Sequence, residues 1–227
     1  MKNITRFTKI FLSLVCVISL LIILPGYIFN QLNNWQIYFL AVSYLLFFLG
    51  TVWRKAKFGN LAKRSEDKQI KSLSGRVASF VSIFGLIGCH WLAIYESTKF
   101  INNHFSVTNL VFTIIGISLA IAAIIVNQIA VKTLGKFFDR LVIKEQHQLI
   151  TSGIYSQIRH PIYTSYLLLF VGFCTLLQSW LSLGVLVIVC VIWFGNRITI
   201  EEEMLTQEFG DRYQIYQKRT KRLFPSI

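Results

Sequence analysis

Two short stretches carry polar residues at spacings that suit chemistry. The first, "GIYSQIRHPIY" at 153–163, sets Arg159, His160 and Pro161 at the mouth of an apolar run. Pro161 suits the first turn of a helix, because its φ is preset and its missing N–H would have no helical partner there. A helix beginning at Pro161 turns its positive dipole end and unpaired N–H groups outward, where they accept a carboxylate or a phosphate. Arg159 adds a fork of donors, and His160 can donate, accept or titrate near neutral pH. Tyr155, Tyr163 and Tyr166 bring rings to the same level. The residue types leave a second reading open, since Arg, His and Tyr at a helix end also anchor a helix at a membrane surface.

The second stretch, "NRITIEEEMLTQEFGDRYQIY", covers 196–216. Arg197 and Glu201 are four apart and share a helical face. Read plainly, they are an exposed pair contributing about 0.3–0.5 kcal/mol on a solvated face. Three adjacent carboxylates, Glu201 to Glu203, beside a negatively biased helix C-terminus are not placed for helix stability, which sets a functional reading level with the plain one. Leu205, Phe209, Tyr213 and Tyr216 form an apolar stripe, predicting an amphipathic helix interrupted at Gly210.

The elements that must position these residues are membrane helices. Of the 227 residues, 54% are hydrophobic and 15% charged, and the mean hydropathy is +0.57. Runs of roughly 20 apolar residues match a hydrocarbon core about 30 Å thick. Residues 10–29, 35–53, 77–95 and 107–131 qualify, and the shorter 162–177 and 181–195 can cross and return as a tight hairpin. The fold class expected is an all-α integral membrane protein of about six transmembrane helices, the last two a short hairpin, followed by an amphipathic cytoplasmic helix. The first run is read as a retained helix, because it is long for a signal peptide and no small-x-small cleavage site follows.

Net charge is +13, but its distribution argues against nucleic acid as a partner. Six helices put the N-terminus, the 54–76 and 132–160 loops and the C-terminal tail on one side, with 22 of the 23 Lys and Arg. That is the positive-inside pattern, so both termini are expected in the cytoplasm. The 54–76 loop reads as a solvated, topology-setting segment able to attract anionic lipid. The four cysteines lie within apolar spans without a CxxC pair, which suits small buried hydrophobes and no metal site. A hairpin over 162–195 would bring His160 and Arg197 side by side. A carboxylate, an arginine, a histidine and a helix N-terminus would then meet in one interfacial pocket.

At these stretches the sequence resembles the isoprenylcysteine carboxyl methyltransferase family and its phospholipid-methyltransferase-like bacterial relatives. The first match is "HQLITSGIYSQIRHPIY", with His147, Leu149, Gly153, Tyr155, Arg159, His160, Pro161 and Tyr163 in the family's pattern. The second carries Arg197, Glu201, Glu202, Leu205, Phe209, Gly210, Tyr213 and Tyr216. The resemblance implies an S-adenosylmethionine-dependent methyltransferase with a catalytic region at 107–227, preceded by membrane helices and a basic loop at 1–106. By carry-over, His147, Gln148, Leu149, Ile150, Tyr155, His160, Pro161, Ile162, Tyr163 and Glu201 would contact the cofactor. Arg197 would engage the acceptor, and Arg197 and Glu201 would form the catalytic pair. The acceptor implied is lipophilic or lipidated, such as the carboxylate of a prenylated cysteine. A phospholipid amine and a small thiol are alternatives, as are an NADPH-dependent sterol-reductase-like enzyme and a non-enzymatic membrane protein. The expected location is a bacterial inner membrane or the endoplasmic reticulum.

Overall fold

The computed structural model describes residues 2–59, 61–100, 107–139, 141–142 and 148–225. Nine α-helices are described: α1 (Lys2–Ile18), α2 (Leu24–Ile28), α3 (Trp35–Phe58), α4 (Lys68–Lys71), α5 (Leu73–Phe100), α6 (Val107–Leu134), α7 (Pro161–Leu176), α8 (Trp180–Phe209) and α9 (Asp211–Arg219). Among the described residues there is no strand, and one parallel bridge joins Ile158 to Lys221. Five helical stretches are long and apolar enough to cross a membrane, and the protein is an all-α, multi-pass membrane protein.

The first span departs from a plain helix. A π-turn at Ser19–Ile23 separates α1 from α2 just before Pro25. Proline lacks the N–H that an α-helix would place there and its ring crowds the preceding turn, so the ladder widens. The expected sixth crossing is shorter than a span. α7 has 16 residues, about 24 Å at 1.5 Å per residue, against a core of about 30 Å. It turns at Gln178, whose φ is +54°, and returns as α8.

α7 is held by close packing on α6. At Gly172 an added Cβ would lie 3.1 Å from the Gly116 carbonyl oxygen and 3.2 Å from the Ala120 nitrogen. With little hydrophobic drive between helices in lipid, such small residues let backbones approach and gain dispersion contact. Asn127 of α6 also donates to the Ser165 hydroxyl of α7 at 3.0 Å. Gly172→Leu is expected to cost at least 1–3 kcal/mol, about the range for overpacking. It should lower the thermal midpoint in detergent; an unchanged midpoint would contradict this packing.

At the far end of the hairpin, Glu96 of α5 accepts from the Ser179 hydroxyl and, at 3.1 Å, from the Ser182 backbone N–H. It thereby satisfies donors at the start of α8 that the helix itself leaves unpaired. Three cysteines, Cys89, Cys174 and Cys190, are buried as expected, whereas Cys16 is exposed.

The C-terminal helix also differs from expectation. α8 does not end with the apolar run at 195 but continues through 30 residues, about 45 Å. Its last turns therefore project beyond the hydrocarbon and carry Arg197 to Phe209. Gly210, with φ +53°, breaks the helix. α9 then folds back, burying Tyr213 and Tyr216.

Candidate functional site

The start of α7 and the polar end of α8 meet as the hairpin requires, and one carboxylate organises the junction. Glu202 Oε1 accepts from Arg159 Nε and Nη2, both at 3.0 Å, and from His160 Nε2 at 3.1 Å. Its Oε2 accepts from Arg222 Nε at 3.1 Å and Nη2 at 2.7 Å. The Arg159 and Glu202 side chains are only 9% and 7% exposed. A carboxylate taken this far from water needs such a set of donors, because its lone pairs otherwise go unsatisfied.

The tail is sewn to the same segment. The backbone N–H groups of Arg159 and His160 donate to the Lys221 and Arg222 carbonyls at 2.8 and 3.0 Å. The Thr164 hydroxyl donates to the Leu223 carbonyl at 2.6 Å, and the Tyr216 hydroxyl to the Tyr155 carbonyl at 2.5 Å. Arg159 Nη1 also donates to the carbonyls of Gln217 (3.0 Å) and Thr220. Arg159 is thus a strap between the hairpin and the tail.

Glu201, one residue earlier on α8, points elsewhere. The Tyr163 hydroxyl donates to Glu201 Oε2 at 2.8 Å and accepts from Arg197 Nε at 3.1 Å. His160 Nδ1 lies 3.7 Å from the same carboxylate oxygen. The phenol therefore links the arginine and glutamate expected as a simple i,i+4 pair. Arg197 Nη1 reaches away from the hairpin, donating to Gln69 Oε1 at 2.7 Å and lying 3.6 Å from Asp67 Oδ2. Both partners belong to the 54–76 loop.

These groups line a cavity of about 470 Å³, a size ordinary for small-molecule sites. Its wall includes a cluster of aromatic rings, Phe48, Tyr166 and Trp193, and the polar side chains of Asp67, His160, Arg197 and Glu201. Gln148, Leu149, Ile150, Tyr155, Ile162 and Tyr163 also line it. Pro161 is buried and begins α7 without being part of the wall. His147, and Arg140 with it, lies outside the described residues. Burial pushes the Tyr155 phenol well above its ordinary value, raises that of Tyr213, and takes Tyr216 up to about 12. All three rings therefore stay neutral donors at physiological pH.

Several contributors had no site role assigned from sequence. Tyr213, read as part of an apolar stripe and of the second matching motif, lines the cavity at 1% exposure with no partner for its hydroxyl among the described residues. The buried Tyr155 hydroxyl is likewise unpartnered. Glu202 carried no role of its own in the sequence, where it stood only as a member of the matching motif and of three adjacent glutamates. Asp67 and Gln69 sat in a charge-rich loop that composition marked as solvated. The Asp67–x–Gln69 spacing carries a capping interaction, Gln69 N–H to Asp67 Oδ1 at 3.0 Å, a local hint of order.

The fold and site define a multi-pass membrane protein with a polar, tyrosine-lined cavity built on its last helical hairpin. Residues 114–207 match the model of the isoprenylcysteine carboxyl methyltransferase (ICMT) family. A probable protein-S-isoprenylcysteine O-methyltransferase of Oryza sativa subsp. indica is 33% identical over 116 residues, 50% of this chain. The chain spans 61% of the length of that relative. The protein-S-isoprenylcysteine O-methyltransferase of Saccharomyces cerevisiae is 27% identical over 195 residues, 83% of this chain and 78% of the relative. The solved structure of the eukaryotic intramembrane Ras methyltransferase ICMT superposes with a TM-score of 0.59 at 20% identity. That match covers 93% of this chain and 74% of the solved one, and is a likeness of fold.

Proposed function

We propose that the protein is an integral membrane methyltransferase that uses S-adenosylmethionine and methylates the carboxylate of a prenylated cysteine or a closely similar lipophilic acid. The observation that carries this is the pairing, in one cavity, of an aromatic cluster carried by apolar helices with the polar side chains of Arg197 and Glu201. The match of residues 114–207 to the family model supports methyl transfer, and the relatives' names support the acceptor. The C-terminal region at 107–227 supplies the donor-binding groups, the preceding helices supply walls, and the basic end of the bundle faces the cytoplasm.

The residues present fit the methyl donor. Glu201 offers a carboxylate for its ammonium, and the start of α7 with His160 offers an anion-accepting end for its carboxylate. Tyr155 and Tyr213 hold buried hydroxyls that need partners. When bound, S-adenosylmethionine supplies a methyl group activated by its sulfonium centre, whose charge suits tyrosine faces. A carboxylate acceptor is already deprotonated near neutral pH, so no base is required of the protein. Arg197 orients the acceptor oxygen, with Nε and Nη1 fixed by Tyr163 and Gln69. Phe48, Tyr166 and Trp193 exclude water and take up apolar chain. Rate enhancement then comes from proximity and alignment.

Calorimetry on the detergent-purified full chain is expected to show S-adenosylmethionine binding that is lost in Glu201→Ala and His160→Ala. Undiminished affinity in both variants would overturn the donor site. Tyr213→Phe is the subtler case. Removing an unpaired buried hydroxyl should leave thermal stability unchanged or slightly raised, yet weaken the donor by about 5–10-fold if that hydroxyl bonds the ligand. Equal donor affinity in Tyr213→Phe would remove that residue from the site.

A further inference from the structure

Among the described residues, the carboxylate within ion-pair distance of the acceptor arginine comes from outside the region that resembles the family. Asp67 starts α4 in the loop between α3 and α5 and lines the cavity, with its side chain 5% exposed. Its Oδ1 caps Gln69 N–H at 3.0 Å, which leaves Oδ2 facing Arg197 Nη1 at 3.6 Å. That separation is an ion pair without a hydrogen bond. The placement is built rather than incidental. Lys68 N–H donates to the Leu141 carbonyl at 3.2 Å, and Ala62 N–H donates to Asp139 Oδ1 at 2.7 Å. From the loop, the hydrogen-bond acceptor for Arg197 Nη1 is instead the neutral Gln69 amide oxygen, at 2.7 Å.

The two loop residues therefore do different things to the same guanidinium. Gln69 orients it, and Asp67 balances its charge.

We propose that Asp67 is a specificity-determining residue: it counter-charges Arg197, so that an acceptor carboxylate alone gains little and the acceptor's apolar part must supply the binding. An incoming carboxylate meets Asp67 as a like charge in a site shielded from water, where such repulsion is not fully screened. Short carboxylates from the cytoplasm are thereby disfavoured as a class, while acceptors already partitioned into the membrane bring apolar contact to offset the repulsion. The inference rests on the proposed reading of a carboxylate acceptor at Arg197.

The test uses the full chain in detergent, S-adenosylmethionine as donor and N-acetyl-S-farnesylcysteine as acceptor. Asp67→Asn keeps the capping oxygen and the shape while removing the charge. It is expected to lower the acceptor KM by about three- to ten-fold, with donor affinity unchanged. A purely structural residue would not tighten acceptor binding when altered, so the sign of the change is diagnostic. Gln69→Leu, which removes the neutral anchor, should shift the acceptor KM in the opposite direction. If Asp67→Asn fails to bind donor, Asp67→Ser retains a capping oxygen and carries the same expectation. An acceptor KM that is unchanged or raised in the charge-removing variant overturns the inference while leaving the enzyme reading intact. A wild-type chain that binds donor but methylates no carboxylate acceptor overturns that reading and this inference with it.

Discussion

Replacing Glu202 with alanine is expected to abolish donor binding and to destabilise the protein by about 3–5 kcal/mol, the range for removing one partner of a buried ion pair. Glu202 takes five donor contacts from Arg159, His160 and Arg222. Without it, Arg159 stays buried beside a histidine and loses its only ionic partner among the described residues. The damage should spread in a definite direction. His160 would lose the acceptor that sets its ring, and the tail at Lys221 to Leu223 would lose Arg222 as an anchor, loosening the start of α7. Glu202→Gln is expected to fall between the two, since an amide oxygen still accepts but the charge is gone. Thermal unfolding in detergent checks the first effect and calorimetry with S-adenosylmethionine the second. A Glu202→Ala protein with wild-type stability would show that the cluster is not what holds the hairpin to the tail.

The other large effect belongs to Arg197. Arg197→Ala should leave donor binding nearly intact but reduce kcat/KM for a prenylated acceptor by about 10²-fold or more, the loss associated with charged hydrogen bonds made to a reacting group. Arg197→Lys should recover little. A lysine lacks the planar fork and cannot bond the Tyr163 hydroxyl, the Gln69 amide and an acceptor oxygen in the same directions. Steady-state kinetics with each substrate varied separates the cases: failure of donor binding in Arg197→Ala would mean that Arg197 belongs to the donor end instead.

Much of this arrangement was legible in the chain. Pro161 suits a helix start, and the short apolar stretches on either side of Gln178 suit a hairpin, so the meeting of His160 with the 197–201 segment follows from that topology. What the sequence did not disclose depends on side-chain direction and on long-range contact. Glu201, Glu202 and Glu203 are indistinguishable by composition. On a helix each lies about 100° from the next, so one faces the cavity, one faces the buried cations and one is exposed. Which does which is settled by the tail returning over Arg159. The role of Asp67 and Gln69 was hidden more completely, because their contacts cross about 130 residues of chain and lie in a loop whose charge already had an explanation in membrane topology. The overlong α8 was missed for a related reason. Hydropathy falls at Asn196, but a helix does not need an apolar face all round once it leaves the lipid. Arg159, the residue most easily dismissed as a membrane anchor, bonds to Glu202 and to two carbonyls of the tail segment.

The central claim is that the cavity at the hairpin joins a methyl donor to a lipophilic carboxylate. Its most direct test is transfer of a labelled methyl group from S-adenosylmethionine to N-acetyl-S-farnesylcysteine by the detergent-purified full chain. The account predicts a base-labile methyl ester that forms with the wild-type protein and is lost in both Glu201→Ala and Arg197→Ala. Label that appears in base-stable product, or turnover that survives both substitutions, would contradict it.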